Sequence, residues 1–168
     1  PHPSVVGQTV VVNVSVVANA PGAGTPTGTV SVTGVDTTGC TVTLSGGSGS
    51  CTLTFTSAAQ RMLTASYHGD ANFKYGSDTE LHTISKASTT TTITSNSPNP
   101  SALWQSVTVA VAVTANAPGS GVPTGQVFIG AAGTSGCTVN LSGGSGSCTL
   151  IFTSVGAKTL SAYYNGDS

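Results

Sequence analysis

The sequence predicts an all-β chain built from two copies of one sandwich-type domain. Shifted by 97 positions, residues 3–71 lie over residues 100–168, and 40 of the 69 aligned pairs are identical. β-Branched residues alternate with small or polar ones, the period of a half-buried strand. Gly, Pro, Asn and Ser clusters interrupt these runs roughly every eight to twelve residues, and no helical period outlasts one turn. A fixed repeat of domain length is the mark of an array.

Each element has a local reason. Val10, Val12, Val14 and Val16 alternate with Val11, Asn13, Ser15 and Val17, and Val107, Val109, Val111 and Val113 alternate with Thr108, Ala110, Ala112 and Thr114. The even-numbered valines of the first copy and their partners are expected to face a core. The run from Asn19 to Gly28, with two prolines and three glycines, is a restricted loop. Short strands follow at Thr29–Thr33 and Gln126–Gly130. A hairpin is expected from about Cys40–Leu44 and Cys51–Phe55 around Ser45-Gly46-Gly47-Ser48-Gly49. Met62–Tyr67 forms the next strand, with Leu63, Ala65 and Tyr67 on one face, matched by Leu160, Ala162 and Tyr164. A Gly-Asp turn ends it in both copies. The first copy then reaches a last strand near Thr79–Ser85. Lys86-Ala87-Ser88 is the expected junction, and Thr89–Thr94 opens the second copy as an edge strand. The expected domains are 1–86 and 87–168. Residues 72–97 have no second copy, so the chain reads as part of a longer array, or as one whose open edges neighbouring chains complete.

Pro26-Thr27-Gly28 ahead of a strand, then Leu63-x-Ala65-x-Tyr67-x-Gly69-Asp70-x-Asn72-Phe73, resembles the bacterial immunoglobulin-like tandem repeats (group 3 type) of surface and secreted proteins. Pro123-Thr124-Gly125 with Leu160-x-Ala162-x-Tyr164-x-Gly166-Asp167 carries the same resemblance. It covers essentially both copies. It implies tandem immunoglobulin-like Greek-key β-sandwiches of about seven strands each, with a role in extracellular adhesion, stalks or assemblies. Such repeats share no catalytic residues.

Composition narrows the role. Charged residues make up 5% of the chain, against roughly 25% in an average soluble domain. Six of the nine fall between Arg61 and Lys86, and none between Lys86 and Lys158. Ser and Thr supply 51 of the 168 residues, so hydroxyls take over hydration. The net charge of −1 gives no basic footprint for nucleic acid. No apolar run reaches 18 residues, so membrane insertion is not expected. The strand periodicity and low net charge argue against disorder.

Cys40 and Cys51 are 11 positions apart, as are Cys137 and Cys148. Each pair flanks the Gly/Ser-rich segment, and a local disulfide is expected in each copy. Metal sites favour C-x-x-C spacing or nearby histidines. A loop this short contributes about 3 kcal/mol in the chain-entropy model. Oxidised pairs imply an extracytoplasmic compartment, so the expected location is extracellular or at the cell surface.

Other candidates are weaker. His68 and His82 are weighed as metal ligands against a surface-loop role. Asp70, Asp78 and Glu80 are weighed as a calcium site, although no compact oxygen-rich loop is present. Trp104, the only tryptophan, stands where the first copy has Gly7, and is read as a possible interface or ligand contact. Asn13-Val14-Ser15 and Asn140-Leu141-Ser142 match the N-glycosylation pattern. Neither a G-x-S-x-G elbow, an H-E-x-x-H pair nor a phosphate loop is found, and no cofactor or enzyme activity is expected. The expected role is a structural repeat of a stalk, sheath or filament. Its partners would be further copies of the same repeat, with surface glycans as a second possibility. An adhesin or carbohydrate-binding module, and a spacer in a large secreted enzyme, are the alternatives.

Overall fold

A computed structural model describes residues 1–167. It is all-β: thirteen strands and no helix among the described residues. Among the described residues, no helix is long and apolar enough to cross a membrane. Chain contacts define two compact units, Pro1–Ala87 together with Pro118–Ser120, and Ser88–Ala117 together with the residues from Gly121 onward.

Unit 1 holds β1 (Ser4–Val5), β2 (Thr9–Ser15), β3 (Thr29–Thr33), β4 (Cys40–Thr43), β5 (Ser48–Thr54), β6 (Ala59–Tyr67) and β7 (Gly76–Ser85). One sheet has the order β1-β7-β6-β3-β4, and β2 pairs with β5 in a second. Pairing is antiparallel except for β1, which lies parallel to β7 with Ser4 opposite Ile84. Val10 and Leu53 from the smaller sheet share a core with Val30, Val32, Val42, Leu63, Tyr67 and Ile84 from the larger one. Two layers closing on one apolar core is consistent with a β-sandwich.

Unit 2 holds β8 (Thr89–Ser97), β9 (Ser106–Ala115), β10 (Gln126–Gly130), β11 (Cys137–Asn140), β12 (Ser145–Ile151) and β13 (Ser161–Tyr164). Its sheets are β11-β10-β13 and β12-β9-β8. β8 is therefore an edge strand, with a bulge between Ile93 and Ser95. Val107, Val109, Val111 and Val113 on β9 are 0–3% exposed, because β9 has a neighbour on both sides. On β2, Val10 is buried but Val12 and Val14 are only half-buried, as is Val16 just past its end, because β2 pairs on one side only among the described residues.

The expected hairpin is corrected. Ser45 and Ser48 make one antiparallel bridge, and then the chain changes sheet. β4 pairs with β3, while β5 pairs with β2 from Thr54 opposite Thr9 to Ser48 opposite Ser15. Residues 137–148 repeat this crossing, with β11 beside β10 and β12 beside β9. The crossing needs glycine. A Cβ on Gly49 would lie 2.4 Å from Val42 Cγ1, and one on Gly146 would lie 2.4 Å from Val139 Cγ1.

Candidate interaction site

The two sequence elements that carry the family resemblance meet in space. Asp70 accepts hydrogen bonds from the Thr27 amide at 2.8 Å and the Thr27 hydroxyl at 2.7 Å. Its other oxygen accepts the amides of Asn72 and Phe73. In unit 2, Asp167 accepts the Thr124 amide and hydroxyl at 3.2 and 3.3 Å. The Gly-Asp turn thus clamps the Pro-Thr-Gly loop to the end of the strand 43 residues later. These bonds hold the Asp70 carboxyl well below the usual carboxylate range, the Thr27 hydroxyl contributing most. The Asp167 carboxyl is lowered too, chiefly by the Thr124 amide.

The cysteines pair as expected in partner but not in setting. Cys40–Cys51 and Cys137–Cys148 are disulfides, each with Cα atoms 6.1 Å apart. Because β4 and β5 belong to different sheets, as do β11 and β12, each bond joins the two layers of its unit rather than two strands of a hairpin. Disulfides fit an oxidising, extracytoplasmic environment.

Of the weaker candidates, His68 bonds Ser31 on the surface at 2.7 Å. His82 does not lie in a surface loop. It is 5% exposed on β7, its ring stacked on Phe55 with centroids 5.4 Å apart. Its Nε2 lies 2.8 Å from the Ser4 hydroxyl, and its Nδ1 lies 3.0 Å from Nδ1 of His2. Burial, then the neighbouring His2, pulls its pKa down. The period-two pattern Glu80-Leu81-His82-Thr83-Ile84 carried this placement, since it sets His82 on the face of Ile84. Asp70 is committed to its loop, and no group of three or more metal-binding side chains occurs among the described residues. Asn13 lies within β2 and Asn140 ends β11, both exposed.

Trp104 is 64% exposed. Its amide donates to the Phe152 carbonyl at 3.1 Å, as the Gly7 amide donates to Phe55 at 2.9 Å. Both residues have positive φ, 77° at Gly7 and 64° at Trp104. A bulky aromatic therefore occupies a left-handed turn position that suits glycine.

Near this turn unit 2 has a cleft of about 410 Å³. Ser101 and Leu103 form one wall, and Phe152, Val155, Lys158 and Leu160 another. Val155 is 81% exposed, and residues 156–160 are in no strand. The outer edge of β13 is unpaired among the described residues. The lining of the cleft is mixed, with Asn96, Asn99, Ser101, Ser154 and Lys158 beside Leu103, Val107, Phe152, Val155 and Leu160. Sequence reasoning did not find the cleft, because residues from three separate segments line it.

No family model, curated protein or solved structure matches the chain.

Proposed function

We propose that the chain is a structural repeat that works outside the cell as part of a surface stalk, sheath or filament. On this reading each unit is an immunoglobulin-like Greek-key sandwich of the bacterial tandem-repeat type, and neighbouring repeats or chains complete its open edges. The observation that carries the reading is the absence of charge from Ala87 to Ala157, a stretch that includes the edge strand β8 and its neighbour β9. Charged edges are a main defence of soluble monomers against association, and a subunit that assembles does not need it. The repeat, the layer-joining disulfides and the Thr-Asp clamps support the same role, since all stabilise a module and none performs chemistry. Electron microscopy of the native material tests it. Linear arrays or filaments with a domain-sized repeat are expected. Isolated particles of a single pair of units would overturn it.

A second reading, an adhesin or carbohydrate-binding module, is favoured by one observation: the strained, exposed Trp104. Aromatic faces stack on sugars, and strain at an exposed turn often accompanies function. A glycan array with wild type and Trp104→Ala discriminates. Binding lost in the variant supports a glycan partner, and equal signals remove it.

A further inference from the structure

We infer that the outer edge of β8 is a self-association surface. Two copies of this chain pair β8 against β8, antiparallel and about a two-fold axis, so that their β12-β9-β8 sheets become one continuous sheet. The inference rests on the array reading above and adds the edge, the register and the symmetry.

The ladder decides which backbone groups this edge offers. β8 lies against β9 with Thr89 opposite Ala115, Thr91 opposite Val113 and Ile93 opposite Val111. Just ahead of the strand, the Asn116 amide donates to the Ser88 carbonyl at 2.8 Å. In an antiparallel ladder alternate residues turn both backbone groups to the same neighbour. Ser88, Thr90 and Thr92 therefore bond β9, and Thr89, Thr91 and Ile93 aim N–H and C=O away from it. The phase of β9 agrees: the Val113 amide, opposite Thr91, donates to the Gly144 carbonyl on the β12 side at 2.8 Å. β8 has no second neighbour among the described residues.

Nothing in the segment 89–93 guards those groups. Edges of soluble proteins carry charges, prolines or bulges, or are kept very short. β8 is nine residues long. Its bulge falls between Ile93 and Ser95, and Pro98 and Pro100 lie beyond its end. Lys86 precedes it by three positions, and the next charged residue is Lys158. β7 makes the contrast. Its residues 76–83 also pair on one side only, and they carry Asp78 and Glu80. One long edge is thus guarded by charge and the other is not. An edge without charge gains nothing from an acidic or basic partner and does not repel its own copy.

The register follows from the same alternation. With Thr91 opposite Thr91 of the second copy, Thr89 faces Ile93, and the three outward positions of each strand exchange about six backbone hydrogen bonds. Thr90 then stands opposite Thr92 of the second copy, both on the exposed face. Ile93 packs on the core of its own unit, and Thr91 shares that side of the strand, so the inward faces of the two copies continue each other. Cross-strand Thr–Thr pairs suit this arrangement. A strip of this length makes a weak contact on its own. An array that repeats it raises the effective concentration and converts it into a firm lateral bond.

Sedimentation equilibrium of the intact chain tests the pairing. A reversible dimer is expected, half formed at about 0.1 mM. Thr90→Lys with Thr92→Lys sets like charges opposite each other and should weaken the dimer about tenfold or more. Thr90→Lys with Thr92→Glu places the lysine of one copy opposite the glutamate of the other and should restore it. Both changes lie on the exposed face, so thermal unfolding of unit 2 should stay the same, and a shared loss of the fold would show there. As an independent check, chains with Thr90→Cys mixed with chains with Thr92→Cys should form an intermolecular disulfide faster than either variant alone. A chain that stays monomeric at about 1 mM overturns the inference. So does a dimer equally strong in the double-lysine variant, or equal crosslinking in mixed and unmixed samples. These outcomes are separable from the array reading: microscopy can show single, unpaired arrays when the dimer is absent, and the dimer can form in a chain that builds no array.

Discussion

Units 1 and 2 share most of their sequence and differ in which sheet is well covered. Among the described residues, the sheets of unit 1 have five and two strands, and each sheet of unit 2 has three. The consequence is visible side chain by side chain. Phe55, Leu63 and Tyr67 are buried in unit 1, while Leu160 and Tyr164 are half-buried in unit 2. The valines reverse the order, fully buried on β9 and mostly half-buried on β2. The same residue is therefore core or margin according to whether its strand has a neighbour. Burial here is a property of the assembled sheet rather than of the residue.

The largest expected effect comes from the core phenylalanines. Phe55→Ala should cost unit 1 about 4–5 kcal/mol, and Phe152→Ala should cost unit 2 about 3 kcal/mol, because Phe152 already borders a cleft. Hydrogen exchange of unit-specific peptides in urea measures both. Equal costs would break the comparison.

The disulfides come next. Cys40→Ala with Cys51→Ala, and Cys137→Ala with Cys148→Ala, should each lower stability by about 3 kcal/mol. Both close the same sequence separation of 11, so the two losses should match despite the different sheets around them. Trp104 fluorescence reports on unit 2, and unit-specific exchange reports on unit 1.

Acid should separate the units. All three histidines lie in unit 1. His82 is buried among Phe55, Ser4 and His2, with Glu80 opposing the downward shift of its pKa. The folded state thus holds it neutral, while the unfolded chain takes up a proton near pH 6.5. Its contribution is complete above about pH 6.5 and is lost as pH falls below that value. Asp70 and Asp167 are lowered, so their contributions are complete above the unfolded carboxylate pKa of about 3.9 and are lost as pH falls below it. Between pH 7 and 5, unit 1 should weaken and unit 2 should hold; below pH 4 both should weaken. His82→Gln should flatten the first phase in pH-dependent thermal unfolding. An unchanged first phase would refute its assignment.

The smallest effect is at the turn. Trp104→Gly should stabilise unit 2 by about 0.5–1 kcal/mol by removing the cost of a left-handed aromatic. Calorimetry checks this, and a destabilised variant would show that the indole makes a contact that outweighs the strain.

Much of this was legible in the residues. Period-two valines located β2 and β9, β-branched runs located β3 and β8, and the cysteine spacing paired the disulfides. The setting of those disulfides was not legible. A Gly-rich segment between two strand-like runs reads as a hairpin, and only the pairing of β5 with β2 reveals that the chain crosses between layers. His82 was readable as inward-facing from its strand, but its bond to Ser4 depends on a contact 78 positions away.

The sequence by itself determined most of the strands, though not β1, together with the repeat and the disulfide partners, because alternation, turn chemistry and loop length act over short distances. It also placed Trp104 at a position held elsewhere by glycine. Tertiary structure decided which sheet each strand joins and which side chains are buried. Those depend on backbone hydrogen bonds between distant segments, and two nearly identical stretches satisfy them differently when their neighbours differ.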